Sequence, residues 1–267
     1  MKTFVINSFK GASIGLGALL PGISGASLAT IFGIYEPLIA WLANPLQNRR
    51  KNIKFFFPYF LGAALSIFLL ANTLTYLLAH HEIIVTFIFV GVMLGIMPAL
   101  VKESGRKGRK KRHVILSILV ACGSFYLFTI PTLQLHASIA ELSPFFQHLI
   151  TGQMLGIGIT FPGVSPSNYL MYLGLYSTLN TVISTVNIRA LATISLGLLI
   201  ALLLTAKLMK YLLKHYYATV FHLILGLVLT SIVLIVPRVS FSLSTILYIS
   251  LGLLIGIGFS RWLHQSN

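Results

Sequence analysis

The sequence contains no aspartate, and four glutamates supply all of its carboxylate side chains. Acid–base or nucleophilic catalysis would need several such groups in one place, so this composition argues against an enzyme. A single cysteine, Cys122, excludes an intramolecular disulfide. No nucleotide-binding motif is present, and the His80-His81 pair has no third metal ligand nearby. We therefore expect no cofactor, no metal site and no direct use of ATP.

Apolar residues are abundant instead. They make up 57% of the 267 residues, whereas charged residues make up 9%. Several uncharged runs are long enough to cross a hydrocarbon layer about 30 Å thick, which takes about 20 helical residues. The other residues are too few for an additional soluble domain. We predict an all-α membrane protein in which residues 1–267 form a single membrane domain. This prediction does not extend to the oligomeric state.

The formal charge is strongly positive, +15, because 19 lysines and arginines oppose the four glutamates. These basic residues stand in short loops beside apolar runs, a pattern typical of cytoplasmic loops in membrane proteins. We therefore expect contact with anionic lipid headgroups rather than with nucleic acid.

An internal repeat organises the chain. The segment GLGALLPGISGASLATIFGIY, residues 15–35, aligns without a gap with GIGITFPGVSPSNYLMYLGLY, residues 156–176, at an offset of 141. The similarity then continues at an offset of 135, where Gly62 matches Gly197 and His80 matches His215. About half of the chain is thus related to the other half, with repeats at about residues 1–131 and 144–267.

Each repeat contains an interrupted element followed by three apolar spans. In the first repeat a helix from about Phe9 to Leu20 precedes a Pro-Gly break, and a second helix follows from about Ala26 to Leu42. The second repeat interrupts a similar element at about residues 145–183. The six predicted spans are residues 55–79, 83–101, 114–130, 188–206, 217–236 and 241–262.

Three basic clusters decide between two topologies: residues 44–54, residues 102–112, and Lys207, Lys210 and Lys214. If each interrupted element crosses the membrane once, the first two clusters are cytoplasmic and the lysine cluster lies outside. If each element is a hairpin that returns to its own face, the second repeat is inverted and all three clusters are cytoplasmic, as the positive-inside rule favours. We predict six transmembrane helices, two re-entrant helical hairpins from opposite faces, and cytoplasmic termini.

The two breaks are candidate substrate sites. A break leaves backbone N–H and carbonyl groups that lipid cannot satisfy, so it persists only where it is buried in protein or lines a wet cavity. Opposed breaks in inverted repeats are the layout of alternating-access transporters. Helix N-termini and serine hydroxyls also suit an anion such as phosphate. The alternative is that both hairpins serve packing alone. The predicted substrate-binding residues are Pro21, Gly22, Ser24, Gly25 and Ser27 in the first break, and Pro162, Gly163, Ser165, Ser167 and Asn168 in the second.

Six charged side chains are further candidate contacts: Lys10, Glu36, Arg189, Lys207, Lys210 and Arg238. The two later lysines share a helix face and either anchor the helix at the interface or attract a phosphate. Glu36 either pairs with Lys10, relays a proton or is an ordinary interfacial carboxylate. The two arginines, which the re-entrant topology places outside, either capture a phosphate from the outer leaflet or anchor their helices.

The motif KGASIGLGALLPGISGASLATIFGIYEPLI, residues 10–39, and its repeat FPGVSPSNYLMYLGLY resemble the polyprenyl-phosphate transporter family (PopT type), over essentially the whole chain. The resemblance implies a flippase of the bacterial inner membrane that returns undecaprenyl phosphate, the lipid carrier of peptidoglycan synthesis, from the outer to the cytoplasmic leaflet. It also implies re-entrant helices in an inverted repeat. Without an ATP site, a proton or the membrane potential is the default driving force. The alternatives are another anionic lipid or solute as cargo, or a membrane enzyme acting on lipid phosphates.

The chain departs from the family pattern in both motifs. The family usually reads Pro-Gly-Val-Ser-Gly-Gly-Thr in the first copy, where this chain ends in Gly25-Ala26-Ser27, and Ser-Gly-Ser-Phe in the second, where it has Ser165-Pro166-Ser167-Asn168. Ser27 keeps a hydroxyl. Pro166 removes an N–H group and fixes φ, so the second motif is expected to hold the headgroup differently.

Overall fold

The computed structural model describes residues 2–19, 24–129, 138–236 and 242–265, and all regular secondary structure in these ranges is helical. This confirms the predicted all-α class. The helices are α1 (Lys2–Leu19), α2 (Gly25–Ile31), α3 (Tyr35–Ala43), α4 (Arg49–Gly105), α5 (Lys111–Thr129), α6 (Pro144–Thr160), α7 (Pro166–Tyr172), α8 (Tyr176–Ser184), α9 (Ile188–His215), α10 (Tyr217–Ile235) and α11 (Leu243–Gln265).

Five helical stretches of the described residues are long and apolar enough to cross a membrane, or up to six if the bent pair α2–α3 counts as one span. They are Arg49–Leu70, His80–Gly105, Lys111–Thr129, Ile188–His215 and Tyr217–Ile235, and α11 adds a shorter apolar stretch, Leu243–Gly258. Large apolar side chains such as Phe68 and Leu254 are exposed on these helices, as expected of surfaces that face lipid. The chain is a multi-pass membrane protein.

The first two spans of each repeat are joined in the same way. Helix α4 carries both spans of the first repeat, and its backbone leaves helical geometry at His81, with φ −136° and ψ 38°. Tyr216, which lies 135 residues later, joins α9 to α10 with φ −132° and ψ 35°. Before each joint a histidine ring packs against a tyrosine one turn earlier, with centroids 4.2 Å apart for Tyr76 and His80 and 4.4 Å apart for Tyr211 and His215.

The second arm of each interrupted element is not one helix, so the continuous helix predicted from Ala26 to Leu42 is wrong. Helices α2 and α3 are bent by 116° about residues 32–34. Gly33 has φ +69°, and Ile34 donates its N–H to the Ala29 carbonyl at 3.0 Å, an arrangement that ends helices. Gly174 repeats it with φ +72°. The bounds of α7 and α8 are those of α2 and α3 shifted by 141 residues.

Two other helices begin earlier in the chain than the sequence predicts. Helix α1 begins at Lys2 rather than near Phe9, and α4 begins at Arg49, so the basic segment 44–54 is helical over its second half. Lysine and arginine are good helix formers whose long side chains reach the interface from a helical position. A charge run therefore marks the end of the apolar span but not the end of the helix.

Equivalent glycines pack the first two helices of each repeat. Helix α1 packs on the first span of α4, and α6 packs on α9. A methyl group at Gly11 would overlap the Tyr59 carbonyl, and one at Gly152 would overlap the Ile194 carbonyl, so only glycine allows these helices to approach so closely. Both partners of the second pair are related to those of the first by the sequence offsets of 141 and 135.

The third span of each repeat packs on the other repeat. Helix α5 packs on α10, and α11 packs on the second span of α4. Gly226 of α10 lies against Ser117 of α5, while Gly91 of α4 lies against Gly252 of α11. Gly91 matches Gly226 and Ser117 matches Gly252 at the offset of 135, so the two contacts are equivalent and reciprocal.

Candidate functional site

The structure brings the two breaks into contact. The Gly163 N–H, in the second break, donates a buried hydrogen bond of 3.0 Å to the Ser27 hydroxyl in α2. The Tyr35 hydroxyl, at the start of α3, donates to the Thr160 carbonyl at the end of α6, with 2.6 Å between the oxygens. These bonds join residues 136 and 125 positions apart in sequence. The sequence predicted both breaks, but it gave no signal for the Tyr35–Thr160 bond.

Two equivalent serines stand at the centre of this contact. Ser24 and Ser165, which are 141 residues apart, precede α2 and α7 as their N-cap residues, and neither side chain caps its helix. Each is 2% exposed. Neither hydroxyl oxygen has a hydrogen-bond partner in the part of the chain that the structure describes. Because a buried hydroxyl without a partner is costly and rare, this symmetric pair points to a group from outside the protein as its partner.

The backbone around the serines suits an anion. Helices α2 and α7 have seven residues each, so their first N–H groups, rather than a long aligned helix dipole, supply positive potential. Those groups belong to Gly25 and Ala26 in α2, and to Ser167 and Asn168 in α7. Pro166 has no N–H, so the donors of α7 begin one residue later than those of α2. Hydroxyls and N–H groups together form a set of donors of the kind that binds a phosphate.

Close packing surrounds the second break. Pro162 and Gly163 are both buried. Gly163 has φ +85°, and a methyl group there would lie 3.1 Å from the Ile224 carbonyl of α10. A larger side chain would therefore strain the backbone and push against α10. The equivalent residues of the first break, Pro21 and Gly22, lie outside the described residues.

A cavity of 510 Å³ adjoins α7. Asn168 and Tyr172 of α7 line it, together with Glu82 and Thr86 of α4 and Phe128 of α5. Since Glu82 is predicted to be outside, the cavity leads from the predicted outer face to one of the predicted site residues. Among the described residues, Glu82 is the only charged residue that lines the cavity. An arginine was expected near the outer entrance, and the described lining contains none.

Glu36 belongs to a network that sequence reasoning missed. Arg106 donates to Glu36 at 3.0 Å and to Glu103 at 2.9 Å. The Tyr217 hydroxyl donates to Glu103 and, at 3.3 Å, to Glu36. The hydrogen bond that Arg106 donates to Glu103, followed by the one it donates to the Tyr217 oxygen, raises the pKa of Arg106 above its ordinary value. The network ties α3 to the end of α4 and the start of α10. Glu103 and Arg106 have helical i,i+3 spacing, but nothing in the sequence links them to Glu36.

The other charged candidates lie apart from the breaks. The Lys10 ammonium lies 5.6 Å from the centre of the Phe32 ring. Lys207 and Lys210 are exposed on α9. The Lys210 ammonium donates to the side-chain oxygen of Asn44 at 2.9 Å when that oxygen faces the lysine. Arg189 is exposed at the start of α9. Within the described ranges, no hydrogen bond or ion pair joins Lys207, Lys210 or Arg189 to the breaks. Arg238 lies outside the described residues.

The three basic clusters lie together. Lys107 places its ammonium 4.3 Å from the centre of the Tyr217 ring, next to the last turn of α9, which carries Lys214. Lys210 approaches Asn44 at the start of the first cluster. The re-entrant topology remains a prediction, and it puts all three clusters on one face.

The chain is therefore a polytopic helical membrane protein. Its interrupted element occurs twice, and each copy contributes one buried serine beside the contact between the two breaks. Residues 14–250 match the VCA0040-like family, whose description is undecaprenyl phosphate translocase-like, and the chain belongs to this family. It is 28% identical over 248 residues to a polyprenyl-phosphate transporter of Staphylococcus aureus, covering 87% of this chain and 86% of the relative. It is also 28% identical over 244 residues to one of Vibrio cholerae, covering 85% and 76%. No solved structure matches the chain significantly.

Proposed function

We propose that this chain transports undecaprenyl phosphate from the outer to the cytoplasmic leaflet of the bacterial inner membrane. The observation that carries the proposal is a pair of buried hydroxyls, Ser24 and Ser165, at equivalent positions of two breaks in contact; neither has a partner among the described residues. The family description and the names of both relatives support a polyprenyl phosphate as the cargo.

The phosphate headgroup binds between the two breaks, while the polyprenyl tail stays in lipid. The hydroxyls of Ser24 and Ser165 donate to the phosphate oxygens, and the first N–H groups of α2 and α7 add to them. A hydrogen bond to a charged group contributes about 1.5–3 kcal/mol, which makes a few such donors enough to offset part of the headgroup's desolvation. Because Pro166 lacks an N–H, the second repeat presents its donors from one residue later in α7 and so holds the headgroup differently.

Transport proceeds by alternating access about this site. We propose one membrane domain of two inverted repeats, residues about 1–131 and 144–267, with both termini in the cytoplasm and one re-entrant hairpin from each face. The cavity at Asn168 is then the outer entrance. The Glu36–Arg106–Glu103 network closes the cytoplasmic side in this conformation, since it ties α3 to α4. Release into the cytoplasmic leaflet requires these ion pairs to separate.

The test is leaflet-resolved accessibility of undecaprenyl phosphate in proteoliposomes. Purified protein should move the lipid between leaflets without releasing free phosphate or polyprenol, and an imposed proton gradient or membrane potential should change the rate. Gly163→Leu is the matched inactive variant, because it blocks the break without altering charge. Release of polyprenol would identify an enzyme instead, and equal leaflet exchange in empty liposomes and proteoliposomes would refute transport.

A further inference from the structure

A second polar cavity, of 520 Å³, lies between the segment after α4, the start of α5 and the joint of α9 and α10. Five cationic side chains line it: Lys107, Arg109, Lys110, Arg112 and Lys214. No carboxylate lines it among the described residues. Five cationic residues thus surround a concave space, and its described lining supplies no counter-ion.

Two helices begin at this cavity. The first turns of α5 and α10, each 19 residues long, both contribute to its wall through Arg112 and His113 and through residues 217–219. Neither first turn contains an acidic residue, and no side chain caps α10. Each N-terminus adds N–H donors and positive potential. Helix α9 ends here as well, but its last turn carries Lys214 and His215, which offset the negative end of that helix.

A buried imidazole adjoins the cavity wall. The His113 ring lines the cavity, and its centroid is 5.4 Å from that of His222, which is 1% exposed. The Nδ1 atom of His222 lies 2.6 Å from the carbonyl oxygen of Ala218, another wall residue, and therefore donates to it. The Nε2 atom has no partner among the described residues. His222 is therefore a buried polar group directly behind the cavity wall and not part of its lining.

We propose that this cavity is a binding site for a phosphate monoester, separate from the paired serines. A monoester carries up to two negative charges on a compact group, which matches five cations and two helix N-termini around one space. The positive-inside rule accounts for basic residues on this face, but not for the start of two helices at one cavity whose described lining contains no carboxylate. The phosphate belongs either to a lipid headgroup or to a soluble monoester, and the experiment separates the two.

The full-length protein is placed in nanodiscs of phosphatidylcholine, and glycerol phosphate is titrated by calorimetry. In parallel, native mass spectrometry compares retention of phosphatidic acid, a lipid monoester, with that of phosphatidylglycerol, a diester. Saturable binding of glycerol phosphate identifies a soluble ligand. Preferential retention of phosphatidic acid without it identifies a lipid headgroup. Saturable binding of neither monoester overturns the proposal.

The site is mapped by two variants with the same loss of charge. Lys110→Gln/Arg112→Gln, inside the cavity, should weaken monoester binding at least about tenfold, and Arg49→Gln/Lys54→Gln, in the other basic segment, should change it less than about twofold. Equal weakening would assign binding to diffuse surface charge and refute the site. Lys107→Gln/Lys214→Gln replaces the first variant if thermal unfolding shows that the first does not fold. Loss of monoester binding in the double variant Ser24→Ala/Ser165→Ala would refute a separate site. Failure of the protein to transport undecaprenyl phosphate would refute the proposed function but not this site.

Discussion

Replacing Ser24 or Ser165 by alanine should affect transport and stability in opposite directions. Each hydroxyl is buried and has no partner in the described part of the chain, so its removal relieves a desolvation cost that is about 1–3 kcal/mol for an unpaired group. The melting temperature should therefore be unchanged or raised by about 2–4 °C for each kcal/mol relieved. Headgroup binding loses a charge-assisted bond of about 1.5–3 kcal/mol, so the apparent affinity for undecaprenyl phosphate should fall about 10- to 100-fold.

Ser27→Ala is the matched control, because the same chemical change has the opposite consequence three residues away. The Ser27 hydroxyl accepts the buried Gly163 N–H, and its loss leaves that donor unpaired at a cost of about 1–3 kcal/mol. The melting temperature of this variant should fall. Thermal unfolding in detergent and leaflet transfer in proteoliposomes check all three variants. A fall in melting temperature for Ser24→Ala and Ser165→Ala equal to that of Ser27→Ala would make the hydroxyls structural, and unchanged transfer would place the headgroup elsewhere.

Three further predictions concern topology, gating and capture. In a cysteine-free background, a cysteine at Lys210 should react with a membrane-impermeant reagent only from the cytoplasm, and one at Glu82 only from outside; external labelling at Lys210 would contradict the inverted repeat. Arg106→Gln should change the free energy of unfolding by less than about 1 kcal/mol, because its ion pairs are partly exposed. It should nevertheless favour the cytoplasm-open state and so reduce external labelling of a cysteine at Asn168. Unchanged labelling would exclude the network as a gate. Arg189→Gln should raise the substrate concentration needed for half-maximal transport more than it lowers the maximal rate, and identical kinetics across ionic strength would reduce this residue to an interface anchor.

Apolar runs and the internal repeat predict the helical class and the spans, because both signals extend over tens of residues. The offset of 141 even predicts that α7 and α8 repeat the bounds of α2 and α3. The bend at Gly33 was missed, since this glycine lies in an apolar run where Pro21 and Gly22 give the stronger break signal. A glycine ends a helix only if the backbone takes positive φ there, and that depends on packing around it.

The chemistry of the site is less predictable than its location. Serines in a Pro-Gly break suggest phosphate binding, but only coordinates distinguish Ser27, whose hydroxyl is bonded, from Ser24, whose hydroxyl is not. The partner of Glu36 is likewise invisible, because Arg106 is 70 positions away and one of many cations in its cluster. Pairing between distant side chains follows from tertiary contact, which composition and spacing do not encode.

The reciprocal packing of α5 on α10 and α11 on α4 has a consequence for biosynthesis and ancestry. Ser124 of α5 shares a hydrogen bond of 2.6 Å with Thr230 of α10, so α5 meets this partner only after a helix about a hundred residues later has been inserted. In the proposed inverted topology, a polypeptide of one repeat alone would find the same partner surface only on a second, oppositely oriented copy of itself. On that proposal, the fused chain preserves the contacts of an antiparallel homodimer, with each half completing the other.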